Sequence, residues 1–190
     1  MRLLLIGAAL MSFAPGAGAA WTTWTNGHEY QVFRATAGIT WSGASANAAA
    51  LGGYLVTFSS AAENNFVFGL ANDPVYWSDY LGFRSIGPWI GLIQSAGANE
   101  PAGGWAWVTG EPLTYLNWAA GEPNNNGGNE GFGLLWALTA GGRAGTWNDF
   151  PNSGGGVDAK VYSYIVERVP SPGALPLVCG VVILGRRRRS

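Results

Sequence analysis

The chain has 190 residues, of which 48% are hydrophobic and 11% are charged, so it can bury a core and is not a charge-rich disordered protein. Thirty glycines, ten prolines and ten tryptophans indicate one loop-rich domain and exclude a coiled coil or a long-helix bundle. The chain has one cysteine, Cys179, and one histidine, His28, and it lacks a Gly-x-Ser-x-Gly motif. An intramolecular disulfide and a cysteine-cluster zinc site are therefore excluded, and a serine hydrolase is disfavoured.

The first 20 residues have the order of a secretion signal. Arg2 precedes an apolar run over residues 3–11, and the small residues 16–20 suit cleavage by signal peptidase. Pro15 disfavours the alternative of a buried N-terminal helix. We therefore expect export, a mature chain that starts near Trp21, and a domain over residues 21–168.

Two helices and four strands are predicted in this domain. The predicted elements are a helix over 42–51, a strand over 54–58, a helix over 61–70, and strands over 89–92, 105–108 and 161–167. The first helix is alanine-rich and meets a glycine stop at Gly52. The second begins with a capping box, in which the side chains of Ser60 and Glu63 each accept a free backbone N–H. This order predicts an α+β fold.

A long irregular region follows over residues 110–143, interrupted by a short apolar stretch at 132–138. A loop of this length in a compact domain is usually functional. It carries the oxygen-bearing side chains of Glu122, Asn124 and Glu130, and Trp147-Asn148-Asp149 comes soon after it. Carboxylate and amide oxygens without histidine or cysteine favour Ca²⁺ over zinc or copper, and the same groups can hydrogen-bond a sugar.

Several short motifs, in a fixed order, resemble the C-type lectin domain. They are two helices, Trp89-Ile90-Gly91-Leu92, residues 107–112, Asn117-Trp118, Gly121-Glu122-Pro123-Asn124 and Trp147-Asn148-Asp149, and together they cover nearly all of residues 24–168. The resemblance implies a C-type lectin-like fold with two helices, small antiparallel sheets and a long calcium-binding loop. It implies that calcium and carbohydrate are bound by Glu122, Asn124, Glu130, Asn148 and Asp149. It also implies a cis Glu122-Pro123 bond and, from Glu-Pro-Asn, a preference for mannose-type sugars.

Two departures from the family pattern bear on stability and stoichiometry. The two usual disulfides are absent, with Ala48 and Val166 at one pair of positions and Phe132 and Asn152 at the other. The fold is then expected to rely on its aromatic core, in which Trp89, Trp107, Trp118 and Trp147 are interpreted as structural residues. Asn125 and Gly131 replace the expected acidic ligands of an auxiliary site, so one calcium is predicted.

The C-terminal residues 169–190 resemble the bacterial PEP-CTERM sorting tail. Pro170-Ser171-Pro172 leads into an apolar stretch over 174–185 and then into four arginines. Twelve apolar residues are too few for a relaxed membrane span. The resemblance implies transient membrane contact and processing by sorting machinery of the exosortase type, although Ser171 stands where the motif has Glu. The alternative is a tail that stays in the membrane with its arginines at the cytoplasmic surface.

Three function classes remain for the domain. Residues 21–168 carry five basic and eleven acidic residues, a formal charge of −6, which disfavours nucleic acid as a partner. The first class is a calcium-dependent module that binds a mannose-type glycan or exopolysaccharide at the cell surface or in the extracellular matrix. The second is a structural or protein-binding module of the same fold that does not bind sugar. The third, a glycosidase that uses Glu122 and Glu130, is disfavoured because calcium would occupy both carboxylates.

Overall fold

The computed structural model of the chain describes residues 20–154 and 160–170. The expected signal segment, apart from Ala20, and the expected sorting tail from residue 171 onward lie outside the described residues. Within those two described ranges, no helix has the length and apolar character needed to cross a bilayer.

Two helices and nine strands form the part of the domain that the structure describes. In chain order they are β1 (Thr22–Thr23), β2 (Glu29–Arg34), α1 (Trp41–Ala50), β3 (Tyr54–Leu55), α2 (Ala61–Ala71), β4 (Ser78–Tyr80), β5 (Arg84–Gln94), β6 (Trp105–Trp107), β7 (Phe132–Ala137), β8 (Trp147–Phe150) and β9 (Ser163–Arg168). Short 3₁₀ turns lie at Pro74–Tyr76 and Asn126–Gly128. The α+β class predicted from the sequence is confirmed.

Strands β5 and β9 organise the sheet. Strand β9 pairs antiparallel with β2 and β3, which joins the two ends of the domain. Strand β5 pairs antiparallel with β4, β6 and β7, and β7 pairs with β8. The two groups meet at one parallel pairing, between Trp89 of β5 and Tyr164 of β9. The sheet is therefore antiparallel except at this central contact, and the long loop between β6 and β7 lies at one end of it.

Both predicted helices form, and their ends follow the predicted signals. At the end of α1, Gly52 adopts a φ of +75°, and the Gly53 N–H donates to the Ala48 carbonyl (3.0 Å). At the start of α2, Ser60 Oγ accepts the Glu63 N–H as predicted (3.2 Å). Glu63 departs from the capping box, because its Oε2 accepts the N–H of Ser59 (2.8 Å) and not that of Ser60.

Aromatic packing fills the core, as the missing disulfides require. Trp89, Trp107 and Trp147 are buried, which confirms them as structural residues, while Trp118 is partly buried and packs edge-on against Trp147. At the first vacant disulfide position, Ala48 and Val166 are both fully buried in one cluster.

The second vacant disulfide position is held by noncovalent contacts. The Phe132 ring packs 4.7 Å from the ring of Trp41. Asn152 Oδ1 accepts the Ser42 N–H (2.9 Å) at the start of α1. Van der Waals packing and one hydrogen bond therefore hold both positions of the missing disulfide against the start of α1.

The strands differ from the sequence-based prediction in two ways. The strand predicted over 54–58 is only Tyr54–Leu55, because Val56 turns its N–H to Ile165 and its carbonyl to Gly91. Strands β7 and β8 lie where a long loop and a ligand motif were expected. Their pairing joins Gly133 to Asp149, residues 16 positions apart, and such long-range pairing is not visible in local sequence pattern.

Candidate functional site

The candidate site lies where the long loop meets strand β8. Glu122 follows Gly121, whose φ is +90°, and the Glu122-Pro123 peptide bond is cis as the resemblance implies. Asn124 follows in the exposed part of the loop, and Glu130 lies at its end, buried just before β7. The remaining predicted residues, Asn148 and Asp149, are both buried in β8.

The Asp149 carboxylate binds backbone N–H groups of the long loop. It is fully buried and accepts the Asn124 N–H on both oxygens (3.0 and 3.1 Å) and the Asn125 N–H on Oδ2 (2.7 Å). Hydrogen bonds from backbone N–H groups to an ionised carboxylate are among the stronger protein hydrogen bonds. Asp149 therefore holds the Glu-Pro-Asn turn against β8.

A second set of bonds closes the loop on itself. Glu130 Oε2 accepts the Asn126 N–H (2.6 Å), and the Glu130 N–H donates to Asn125 Oδ1 (3.1 Å). Asn125 has a φ of +48°, a left-handed conformation that Asn adopts more readily than most residues. Asn124 Oδ1 accepts the Asn126 N–H (2.8 Å). The loop thus places its side-chain oxygens by local turns.

Four of the five predicted side chains share one pocket: Glu122, Asn124, Glu130 and Asn148. The fifth residue, Asp149, is fully buried and does not line this pocket. Two oxygens in this group are buried without a hydrogen-bond partner, Glu122 Oε2 and Asn148 Oδ1. Because a buried, unpaired oxygen costs free energy, these two atoms indicate that the pocket is built for a ligand that completes them.

The electrostatics of the site point to a cation. Burial, reinforced by the nearby Asp149 charge, raises the pKa of Glu122 to about 7 and that of Glu130 to about 8. Burial also raises the pKa of Asp149, although the Asn125 and Asn124 amides oppose the shift. Both ion pairs of residues 20–154 and 160–170 lie elsewhere, so no cationic side chain neutralises these carboxylates directly. A bound cation would lower all three pKa values.

The donor set fits calcium in type. The described ranges hold no group of three or more His, Cys, Asp and Glu side chains arranged to bind a metal by themselves. The amide oxygens of Asn124 and Asn148 would have to complete the site. Oxygen ligands of mixed carboxylate and amide type, including two unpaired atoms, suit Ca²⁺, which accepts six to eight oxygens at variable geometry.

Sequence reasoning did not identify the opposite wall of the pocket. The β4–β5 hairpin supplies it, through Tyr80, Leu81, Phe83 and Arg84, and Trp136 and Phe150 form the base. Arg84 lowers the pKa of Glu122 in opposition to burial. No local motif marks the hairpin residues 80–84, because they precede Glu122 by about 40 positions and are joined to the strands next to the loop by the pairing of β5 with β7.

Residues 37–153 match the family model of the lectin C-type domain. A perlucin-like protein of Mytilus galloprovincialis is 32% identical over 101 residues, which are 53% of this chain and 57% of that protein. A C-type lectin mannose-binding isoform of Oxyuranus scutellatus is 42% identical over 79 residues, 40% of this chain and 43% of that protein. The chain spans between 6% and 57% of the length of the curated relatives it matches.

Solved structures agree with the family model. The carbohydrate-recognition domain of cow CD23, crystallised with a GlcNAc2Man3 oligosaccharide, has a TM-score of 0.59 at 24% identity and covers 83% of this chain and 98% of that one. The C-type lectin CEL-I of Cucumaria echinata has a TM-score of 0.53 at 27% identity, with 77% and 93% covered. A calcium-independent type II antifreeze protein has a TM-score of 0.55 at 20% identity, with 80% and 92% covered. These likenesses confirm a C-type lectin-like fold.

Proposed function

Because the chain belongs to the C-type lectin domain family, we propose that it is an exported, calcium-dependent carbohydrate-binding protein with a preference for mannose-type sugars. The observation that carries this proposal is the pocket shared by Glu122, Asn124, Glu130 and Asn148, with two unpaired buried oxygens in it. The CD23 and CEL-I structures and the mannose-binding relative support sugar binding by analogy.

In this proposal Glu122, Asn124, Glu130, Asn148 and Asp149 hold one calcium. A calcium held there would supply Lewis-acid coordination for sugar hydroxyls. The carboxylates accept hydrogen bonds from those hydroxyls, and the Asn side chains donate to them. Asp149 fixes the loop through its bonds to the Asn124 and Asn125 amides. The protein would thus hold the ligand oxygens in position before the sugar binds.

A single calcium is proposed because the auxiliary position lacks acidic ligands. Asn125 Oδ1 is already engaged with the Glu130 N–H, and Gly131 has no side chain. We expect titration calorimetry to give one site per chain. Two sites of comparable affinity would contradict the assignment.

Retention on immobilised mannose tests the proposed function. We expect residues 21–168 to be retained with calcium and to elute with chelator, and the Asn124→Ala variant to pass through. Asn65→Ala is the matched control, because Asn65 is exposed on α2, away from the pocket, and should leave retention unchanged. Unchanged retention of Asn124→Ala, or retention that survives chelator, would contradict the proposal.

Calcium and protons should compete for this site. Since burial raises the carboxyl pKa values of Glu122 to about 7 and of Glu130 to about 8, both groups hold protons near neutral pH in the calcium-free protein. Raised carboxyl pKa values stabilise the fold at low pH, and this stability is lost as pH rises through them. We therefore expect the calcium-free melting temperature to fall, and calcium affinity to rise, between about pH 6 and about pH 8.

Calorimetry in two buffers of different ionisation enthalpy would measure the protons released. Unperturbed carboxylates would release none above about pH 6. Release of protons near neutral pH, reduced in a Glu130→Gln variant, is the expected result. Calcium affinity that stays flat across this range would contradict competition at Glu122 and Glu130.

A second candidate is a structural or protein-binding module without sugar binding. It is favoured by the Asp149–amide bonds, which join the loop to β8 through protein groups, and by the likeness to a calcium-independent antifreeze protein. Its signature would be no retention on mannose together with a folded domain. We propose no enzymatic activity, in line with a family of mainly non-catalytic binding proteins.

Export, surface display and tail processing complete the proposal. Proteins of this family are mostly secreted or extracellular, which agrees with the predicted signal segment. The exosortase-type partner and transient membrane contact rest on the sequence of residues 169–190 alone. Mass spectrometry of the exported protein would show cleavage near Trp21 and near Pro172, and an intact C-terminal end would contradict sorting.

A further inference from the structure

The tip of the β4–β5 hairpin, residues 81–83, brings apolar side chains to the rim of the candidate pocket. Leu81 is 57% exposed and Phe83 is 55% exposed. Both line the same pocket as Glu122 and Glu130. Isolated exposed apolar residues need no explanation, but two together beside a polar pocket indicate a contact surface.

The backbone at this tip is strained. Leu81 has a φ of +55° and Gly82 one of +75°, and the Phe83 N–H donates to the Tyr80 carbonyl (3.3 Å). A tight turn with two positive φ values favours Asn-Gly, and a branched side chain at its first position is unfavourable. An exposed Leu there gains nothing from burial in the free protein. Such outliers are common at binding sites.

Polar groups beside the tip complete an amphipathic wall. The Arg84 guanidinium lies 5.5 Å from the centroid of the Phe83 ring, and its Nη1 donates to the Leu138 carbonyl (2.8 Å). These contacts limit the motion of both side chains. Trp136 lines the pocket too, and its buried Nε1 donor has no partner. The pocket lining beside the tip therefore combines the Phe83 ring with the Arg84 guanidinium.

We propose that the hairpin tip is a second sugar subsite, which takes the apolar C–H face of the pyranose linked to the sugar held at the calcium. The inference rests on the proposed function, since the two subsites share one pocket. A pyranose has both an apolar C–H face and hydroxyl groups, which match Phe83 and Leu81 on one side and polar groups on the other. The subsite would make a disaccharide a better ligand than a single sugar.

The test compares methyl α-mannoside with the α-1,2-, α-1,3- and α-1,6-linked mannobioses by calorimetry in calcium. The protein should bind at least one mannobiose about three- to tenfold more tightly than methyl α-mannoside. This gain exceeds the roughly twofold statistical advantage that a disaccharide has because either of its two rings can occupy the primary site. Phe83→Ala should lose this advantage, so that its affinities for methyl α-mannoside and for every mannobiose differ by no more than about twofold. Leu116→Ala is the matched control, because Leu116 is 56% exposed and does not line the pocket. This variant should keep the preference for the mannobiose.

Leu81→Asn separates the contact from folding. Asn suits the positive φ, so this variant should melt at or above the parent temperature while losing part of the mannobiose advantage. Equal affinities for methyl α-mannoside and every mannobiose in the parent protein, or an advantage that survives Phe83→Ala, would overturn the subsite alone. Failure to bind even methyl α-mannoside would overturn the proposed function and the subsite with it.

Discussion

We expect Glu130→Gln to abolish calcium-dependent retention on mannose while making the calcium-free protein more stable. Glu130 is 6% exposed, and its Oε2 accepts the Asn126 N–H. The amide oxygen of Gln can keep that bond but brings no charge to the ion. Because a negatively charged ligand oxygen is lost, calcium affinity should fall by about 100-fold or more.

The gain in stability follows from the same burial. Burial and the Asp149 charge raise the pKa of Glu130 to about 8, so ionising this group weakens the calcium-free fold. A neutral Gln of the same size removes that cost, and we expect a gain of about 2 kcal/mol above neutral pH. Denaturant unfolding with chelator would measure it. Below about pH 4 the difference should disappear, because Glu130 is then protonated in both the folded and the unfolded protein.

Glu29→Gln is the matched control for Glu130→Gln. Glu29 pairs with Arg168 at the far end of the sheet (2.8 Å), and its removal should change neither calcium binding nor retention. A Glu130→Gln variant that still binds calcium with parental affinity would remove Glu130 from the ligand set. It would leave a loop held only by hydrogen bonds, as in the second candidate function.

Trp147→Ala should produce the largest loss of stability. Trp147 is fully buried, stacks on Phe58 (5.6 Å) and meets Trp107 edge-on (5.4 Å). Its Nε1 donates to Asn64 Oδ1 (2.8 Å). Removing a buried Trp typically costs about 3–5 kcal/mol, a large share of the 5–15 kcal/mol that stabilise an ordinary domain. Urea unfolding, followed by circular dichroism, would measure the change.

The Trp147→Phe variant distinguishes the stability lost with ring packing from the stability lost with the hydrogen bond. It keeps an aromatic ring against Phe58 but leaves Asn64 Oδ1 without its donor, so about 1–2 kcal/mol should be lost. Calcium affinity should fall in Trp147→Ala too. The Trp147 N–H bonds to Asn117 and its carbonyl to Ala119, which joins the start of the loop to β8. A loss below about 1 kcal/mol in Trp147→Ala would mean that the core repacks around the cavity.

Local signals were sufficient for the helices and for the strands predicted over 89–92, 105–108 and 161–167, which form β5, β6 and β9, but not for the remaining strands. Gly52 and Ser60 mark the helix ends by conformational freedom and hydrogen bonding, which depend only on near neighbours. Strand β2, in contrast, gains its partner from β9, about 135 positions later. Strand β7 lies within a glycine-rich stretch that has little local preference for the strand conformation. It becomes a strand through its pairing with β5 and β8.

For the site, sequence motifs and structure contribute different parts. The kinds of donor in Glu122, Asn124, Glu130, Asn148 and Asp149 follow from residue type and order, and so does the interpretation of a hard cation. Sequence reasoning placed all five in one ligand set. The structure separates Asp149, whose carboxylate is engaged by backbone N–H groups, from the four that line the pocket.

The sequence by itself therefore determined the fold class, both helices and the chemistry of the candidate ligands, because caps, glycine stops and oxygen donors are properties of short segments. Only the tertiary structure decided which oxygens are left unpaired, how far burial raises the carboxyl pKa values, and that residues 81–83 face the loop. Each of these depends on segments tens of residues apart. Their distance and shared burial arise only when the sheet closes, and a one-dimensional pattern contains neither.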